Sequence, residues 1–217
     1  MYDYGWKYFP GRLHSTREII YFLEHIKGIQ SILEAHPPEL TNAIFGDICH
    51  SGIRKDVLKW IKEPLDLAPI QKLILEVCSR TAYYYGTIPL NHFYVLKNPQ
   101  LIHTYKLQLI ELSYEEIEKD IAYIQSLAKT LFSPDVQVHI VPHLNLKTRT
   151  LKDYIPKRKL FVQSLHSICL KLQIPFHDIG AHIEEGDPSS YLEDYMADST
   201  HYSNGYEKVK EFLVRSV

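Results

Sequence analysis

Apolar residues at helical spacing alternate along this chain with short unbroken apolar runs. Residues 14–36, "HSTREIIYFLEHIKGIQSILEAH", carry Ile19, Ile20, Phe22, Leu23 and Ile26 at the three- and four-residue intervals of one helix face. Ser15 or Thr16 is placed to cap that helix, with Glu18 in its first turn. The prolines of "HPPEL" stop it. Residues 42–46, "NAIFG", then read as a first buried strand, and 52–63, "GIRKDVLKWIKE", as a helix. The apolar, β-branched run 72–79, "KLILEVCS", predicts a second strand. Residues 113–132 predict a long helix, because Ser113 and Glu116 form a capping-box pattern at its start. "VQVHIVPH" (136–143) predicts a third strand, and 154–172 a helix with Pro156 in its first turn. "IPFHDIG" (174–180) predicts a fourth strand, and 204–217 the closing helix.

The order is a helix followed by four strand–helix units, which predicts βαβ connections, a parallel sheet and helices on both of its faces. The expected class is α/β, a three-layer α/β/α sandwich with a mostly parallel sheet. At 217 residues one domain is expected, with an N-terminal helical extension over about 1–38. Residues 80 to about 112 are rich in tyrosine and show no clear period, so they read as an insertion or lid.

Composition narrows the function classes. The chain is 45% hydrophobic and 23% charged with a formal net charge of -2, which predicts neither disorder nor nucleic-acid binding. Cys49, Cys78 and Cys169 are odd in number and form no CxxC pair, so a reducing, cytoplasmic setting without disulfides is expected. The opening twenty residues are aromatic and mixed in charge, without the apolar core of a signal peptide, and no apolar run reaches membrane-spanning length.

In parallel α/β sheets, functional side chains gather beyond the carboxyl ends of the strands. That rule selects "GDICHSG" (46–52), Ser79 and Arg80, His143 and Asn145, and the loop leading to Asp198 and His201. A carboxylate three residues before a histidine suits an acid–base pair, the carboxylate fixing the imidazole tautomer; the same residues also suit a helix cap and a surface histidine. A hydroxyl at Ser79 can donate to an oxyanion, and Arg80 can bind a carboxylate or phosphate. Lys147, Arg149, Lys152, Lys157, Arg158 and Lys159 form a basic stretch that reads as a solvated loop and helix start or as an anion-binding edge. His143 is of a metal-ligating type, but no H-x-x-x-H or cysteine pair accompanies it, so neither a metal nor another cofactor is expected. A flavodoxin-like phosphate site is weakened by the lack of a glycine-rich loop.

"DYMADSTHYSNGYEKVKEFL" resembles the closing block of the SGNH hydrolase superfamily, in which a D-x-x-H motif precedes the last helix. The segment from "KRKLFVQSL" onward is similar to the GSCFA-type branch, with Arg158 opening the long helix. The resemblance implies that Asp198 and His201 are the acid–base pair of an esterase or acyltransferase, and that Gly46, Asp47 and Gly52 belong to the G-D-S-x-x-x-G block. Its serine position is Ile48 here, which offers no nucleophile. Cys49 and Ser51, in the same turn, are the alternative nucleophiles. The implied substrate is a small polar ester, such as an acylated carbohydrate. The alternative is a noncatalytic SGNH-like binding module that has lost its nucleophile.

Overall fold

The computed structural model describes residues 13–45, 70–196 and 211–212. They form a mixed α/β structure, and among them no helix is long and apolar enough to cross a membrane. Two compact units result: one of residues 13–45 and 79–132, the other of 70–78, 133–196 and 211–212.

The first unit opens with α1 (Thr16–His25), α2 (Ile29–Ala35) and α3 (Pro38–Phe45). Ser15 caps α1, its side chain accepting from the Glu18 amide. The run "NAIF" is therefore the end of a helix rather than the first strand. A short apolar run does not distinguish a strand from a buried helix segment by periodicity. Pro38, which stops the preceding helix, starts this one, where its missing N–H costs nothing. Leu40, Thr41, Asn42, Ala43 and Ile44 are all buried, and the Ala43 carbonyl accepts from Asn91 N at 2.7 Å.

The tyrosine-rich stretch folds into regular elements: β2 (Thr81–Tyr85), β3 (Ile88–Leu90), α4 (His92–Lys97), α5 (Gln100–Thr104) and β4 (Gln108–Glu111). The strands form an antiparallel sheet in the order β3-β2-β4. Gly86, with φ +60°, makes the two-residue turn between Tyr85 and Ile88. The stretch hides its period because central β2 buries Ala82 and Tyr83 in succession, while edge β4 is exposed throughout.

Helix α6 (Tyr114–Leu131) starts with the expected capping box: Ser113 Oγ accepts from Glu116 N, and Ser113 N donates to Glu116 Oε2. It packs along α1, where Thr16 Oγ1 and Arg17 Nε both donate to Asp120 Oδ2 at 2.7 Å. Beside them the Glu18 carboxylate is buried and accepts from His14 N, Ser15 Oγ and Asn91 Nδ2. Burial wins over these hydrogen bonds and raises the Glu18 pKa from 4.5 to about 7.

The second unit holds β1 (Lys72–Val77) and β5 (Gln137–Pro142), paired in parallel with Lys72 opposite Gln137 and Val77 opposite Pro142. From β5 the chain passes through α7 (Pro156–Lys171) and returns at Phe176, which makes a parallel bridge to Ile140. "IPFHDIG" thus contributes one bridge rather than a full strand, because α8 (Ile179–Gly186) begins directly after its cap, Asp178. Val141, Leu144, Leu146, Ile179, Leu192, Tyr195 and Met196 form this unit's core on one side of the sheet, with Ile74 and Phe212 against it. Leu192–Asp194 form a short 3-10 turn.

The buried acid Glu18 makes a testable linkage. Its folded pKa lies above the unfolded one, so its contribution to stability is complete below pH 4.5 and is lost as pH rises through about 7. Glu18→Gln keeps the shape and stays neutral. Its expected advantage over the parent at pH 8 is roughly 3 kcal/mol, disappearing near pH 4. Urea unfolding of both proteins across pH 4–8 measures it; a difference independent of pH would remove Glu18 as its source.

Candidate functional site

The parallel pair β1–β5 builds the candidate site. Side chains alternate across a sheet, so Ile74, Glu76 and Cys78 follow one face of β1's path, and His139, Val141 and His143 one face of β5's. The register sets Ile74 opposite His139 and Glu76 opposite Val141, which makes these the same face. Cys78 and His143 are each the first residue after the last pair, Val77 and Pro142. The carboxyl ends of two neighbouring strands therefore present a carboxylate, a thiol and an imidazole together.

His143 Nδ1 lies 3.0 Å from Glu76 Oε1. The imidazole side chain is 10% exposed and the carboxylate 42%, so this pair faces solvent from the glutamate side. A ring nitrogen of His143, the Cys78 sulfur and a Glu76 oxygen all lie within 4.8 Å of one another. Cys78 and Cys169 are both thiols. Cys169 is buried in α7, and burial pushes its thiol up to about 12, whereas Cys78 is partly exposed at the strand edge.

The loop after β5 is held from two sides. Arg158, on α7, donates from Nη1 to the Leu144 carbonyl at 2.8 Å. On the other side Gly180 lies so close that a Cβ there would stand 2.3 Å from the Asn145 carbonyl oxygen, so α8 requires glycine at that position. Leu144 and Leu146 are buried on either side of Asn145, and the Lys147 carbonyl accepts from Leu192 N at 2.8 Å. The Asn145 Oδ1 is buried and has no hydrogen-bond partner among the described residues. His143 thus leads into a rigid loop.

Ser79 and Arg80 belong to the other compact unit. Ser79 Oγ donates to the Thr81 carbonyl at 3.2 Å and accepts from Thr81 N at 3.0 Å. Arg80 pairs with Glu111 at 2.6 Å, donates to the Leu112 carbonyl and lies over the Tyr114 ring. Both side chains are engaged in holding the start of β2 beside the end of β4. Gly46, Asp47, Cys49, Ser51, Asp198 and His201 lie outside the described residues.

Much of the basic stretch has partners within its own unit. Lys147 and Lys159 lie over the Tyr154 ring, and Arg149 lies over Tyr191 and pairs with Asp194.

Sequence reasoning missed Glu76 and Cys78 as site residues, and the pair formed by His139 and His177. Only their place at the end of a predicted strand marks Glu76 and Cys78 in the sequence, and no motif spacing links them to His143. His139 Nδ1 lies 2.9 Å from His177 Nε2, with the rings nearly parallel. Two neutral rings can share one proton this way, one donating and the other accepting. Burial, then the neighbouring His177, depresses the His139 pKa to about 4, and burial lowers that of His177.

No protein-family model, no curated protein and no solved structure matches this chain.

The histidine pair has an acid signature of opposite sign to that of Glu18. His139 is held neutral in the fold, so its unfolded form binds a proton first as pH drops. The stability it contributes is complete above pH 6.5 and is lost as pH falls toward about 4. The slope is about 1.4 kcal/mol per pH unit for one proton. His139→Gln should flatten this part of the profile in urea titrations between pH 4 and 7. An unchanged slope would assign the acid sensitivity to other groups.

Proposed function

We propose that this protein is an ester hydrolase or acyltransferase with an SGNH-like α/β/α core, acting on an acylated polar substrate such as an acylated carbohydrate. The observation that carries the reading is the meeting of Glu76, Cys78 and His143 at the carboxyl ends of two paired parallel strands. That edge is where α/β enzymes collect their chemistry. The parallel return at Phe176 after α7, and Arg158 opening α7 against the strand-end loop, agree with the same architecture.

In this reading His201 takes the proton of the attacking group and Asp198 orients it. Backbone amides around Gly46 and Asp47 form the oxyanion hole, and Ser79 joins them by turning its hydroxyl from the Thr81 carbonyl. Cys49 or Ser51 is the nucleophile, or water or the substrate's own hydroxyl attacks directly. His143 and Asn145 contact the polar substrate, and Arg158 holds their loop. Arg80 reaches an anionic substrate group only by releasing Glu111. A small-molecule ester, the reducing cytoplasm and no nucleic-acid partner complete the proposal.

One feature favours a second reading. Ile48 occupies the place of the family's serine, as expected of a noncatalytic SGNH-like module that binds the same class of ligand without cleaving it.

The test is hydrolysis of p-nitrophenyl acetate and of acetylated sugars by the parent, His201→Ala and Asp198→Asn. His201→Ala should lose on the order of 10²- to 10⁴-fold in rate with its melting temperature little changed. Asp198→Asn should also lose activity, because the amide cannot stabilise the imidazolium. Variants as active as the parent would exclude these residues from the chemistry. A parent that binds acetylated sugars without hydrolysing or transferring the acyl group would establish the module instead.

A further inference from the structure

We infer that Glu76, Cys78 and His143 form a binding site for one thiophilic divalent cation of the zinc type. The inference goes beyond the ester-cleaving reading and does not depend on it.

The first argument is distance. The three candidate ligand atoms lie within 4.8 Å of one another, and His143 Nδ1 and Glu76 Oε1 are 3.0 Å apart. Ligand atoms of a tetrahedral zinc ion, at its usual bond lengths to nitrogen, oxygen and sulfur, stand about 3.3–3.8 Å from one another. Side-chain movements of about 1 Å therefore suffice to close the three groups around an ion.

The second argument is placement. Two ligands come from the end of β1 and the third from the end of β5, and these ends are neighbours in a hydrogen-bonded parallel sheet. The His143 backbone continues into the loop held by Arg158 and by the close approach of Gly180. Ligands on paired strands with a buttressed loop lose little freedom when an ion binds, which favours affinity.

The third argument is chemistry. A thiolate, an imidazole and a carboxylate suit Zn²⁺, Co²⁺ or Fe²⁺, and the thiolate disfavours Mg²⁺ and Ca²⁺. Among the described residues the cluster supplies three ligands, which leaves a fourth tetrahedral position for a further ligand. The Glu76 side of the cluster is exposed, giving both the ion and a further ligand a route in. At such a position a cation activates water or polarises a carbonyl. On binding, the ion replaces the thiol proton of Cys78, which passes to solvent, and takes an unprotonated ring nitrogen of His143, the other ring nitrogen keeping its proton.

Cobalt chloride is the probe, because Co²⁺ bonded to a thiolate gives a near-ultraviolet charge-transfer band and tetrahedral Co²⁺ gives intense visible bands. The full chain, purified with chelator and then freed of it, should bind one equivalent of Co²⁺ with both signals, and one equivalent of zinc chloride should remove them. Cys78→Ser should lose the charge-transfer band, and Cys169→Ser should keep it. Glu76→Gln and His143→Ala should each weaken Co²⁺ binding at least ~10-fold, the range over which even outer-shell partners act. Circular dichroism establishes that each variant is folded; should Cys78→Ser not fold, the other two variants decide. No charge-transfer band at saturating Co²⁺ would overturn the inference. So would a band that survives Cys78→Ser, or affinities unchanged in both Glu76→Gln and His143→Ala. None of these readouts involves ester hydrolysis, so failure here and failure of the ester-cleaving reading are separate results.

Discussion

The parallel register of Lys72–Val77 against Gln137–Pro142 decides which side chains meet at the candidate site. Side-chain direction in a strand has a period of two, so a slip by one residue would send Glu76 and Cys78 to the opposite face from His143. What holds the register is the apolar content of the two strands. Leu73, Val77, Val138, Ile140 and Val141 are buried, and Val141 belongs to the core that also takes in Ile179, Leu192 and Met196. The hydrophobic effect thus sets the geometry of a polar cluster whose own interactions, partly exposed to water, are too weak to set it.

Each compact unit uses its buried polar groups differently. In the antiparallel unit, Ser15, Thr16, Glu18, Asn91 and Asp120 satisfy one another around the start of α1, and the network joins that helix to α6. In the parallel unit the buried histidine His139 has one partner, His177, while its Nε2 is buried with no hydrogen-bond partner among the described residues. The first arrangement fixes helix positions. The second leaves an imidazole sensitive to protonation beneath the strand ends.

The parts of the fold legible in the sequence are those written in local chemistry. Ser113 and Glu116 announce α6, Pro156 announces α7, and the β-branched runs announce β1 and β5. "NAIF" misleads because four apolar or small residues carry no period, and Pro38 starts a helix as readily as it stops one. The tyrosine-rich stretch misleads because its central strand is buried at consecutive positions. Of the candidate site, His143 is legible from its place after a strand. Its neighbours are not: Glu76 and Cys78 meet it only through long-range strand pairing, which no spacing rule for metal or catalytic motifs encodes. Ser79 and Arg80, chosen by the same strand-end rule, begin the other compact unit, because the chain changes units directly after Cys78.

That change of unit has a consequence for how the chain is made. On the ribosome, β1 emerges before β5, its one partner strand among the described residues, with the whole of 79–132 between them. The nascent strand therefore waits for β5 through the synthesis of the whole antiparallel sheet and α6, about several seconds at the usual pace. An apolar strand in that condition is a template for pairing with other chains. Its sequence, Lys-Leu-Ile-Leu-Glu-Val, carries a charge at the first and fifth positions. Such gatekeeping charges hinder intermolecular stacking. The carboxylate that meets His143 in the finished protein is thus also a charge of the gatekeeping type within an apolar strand.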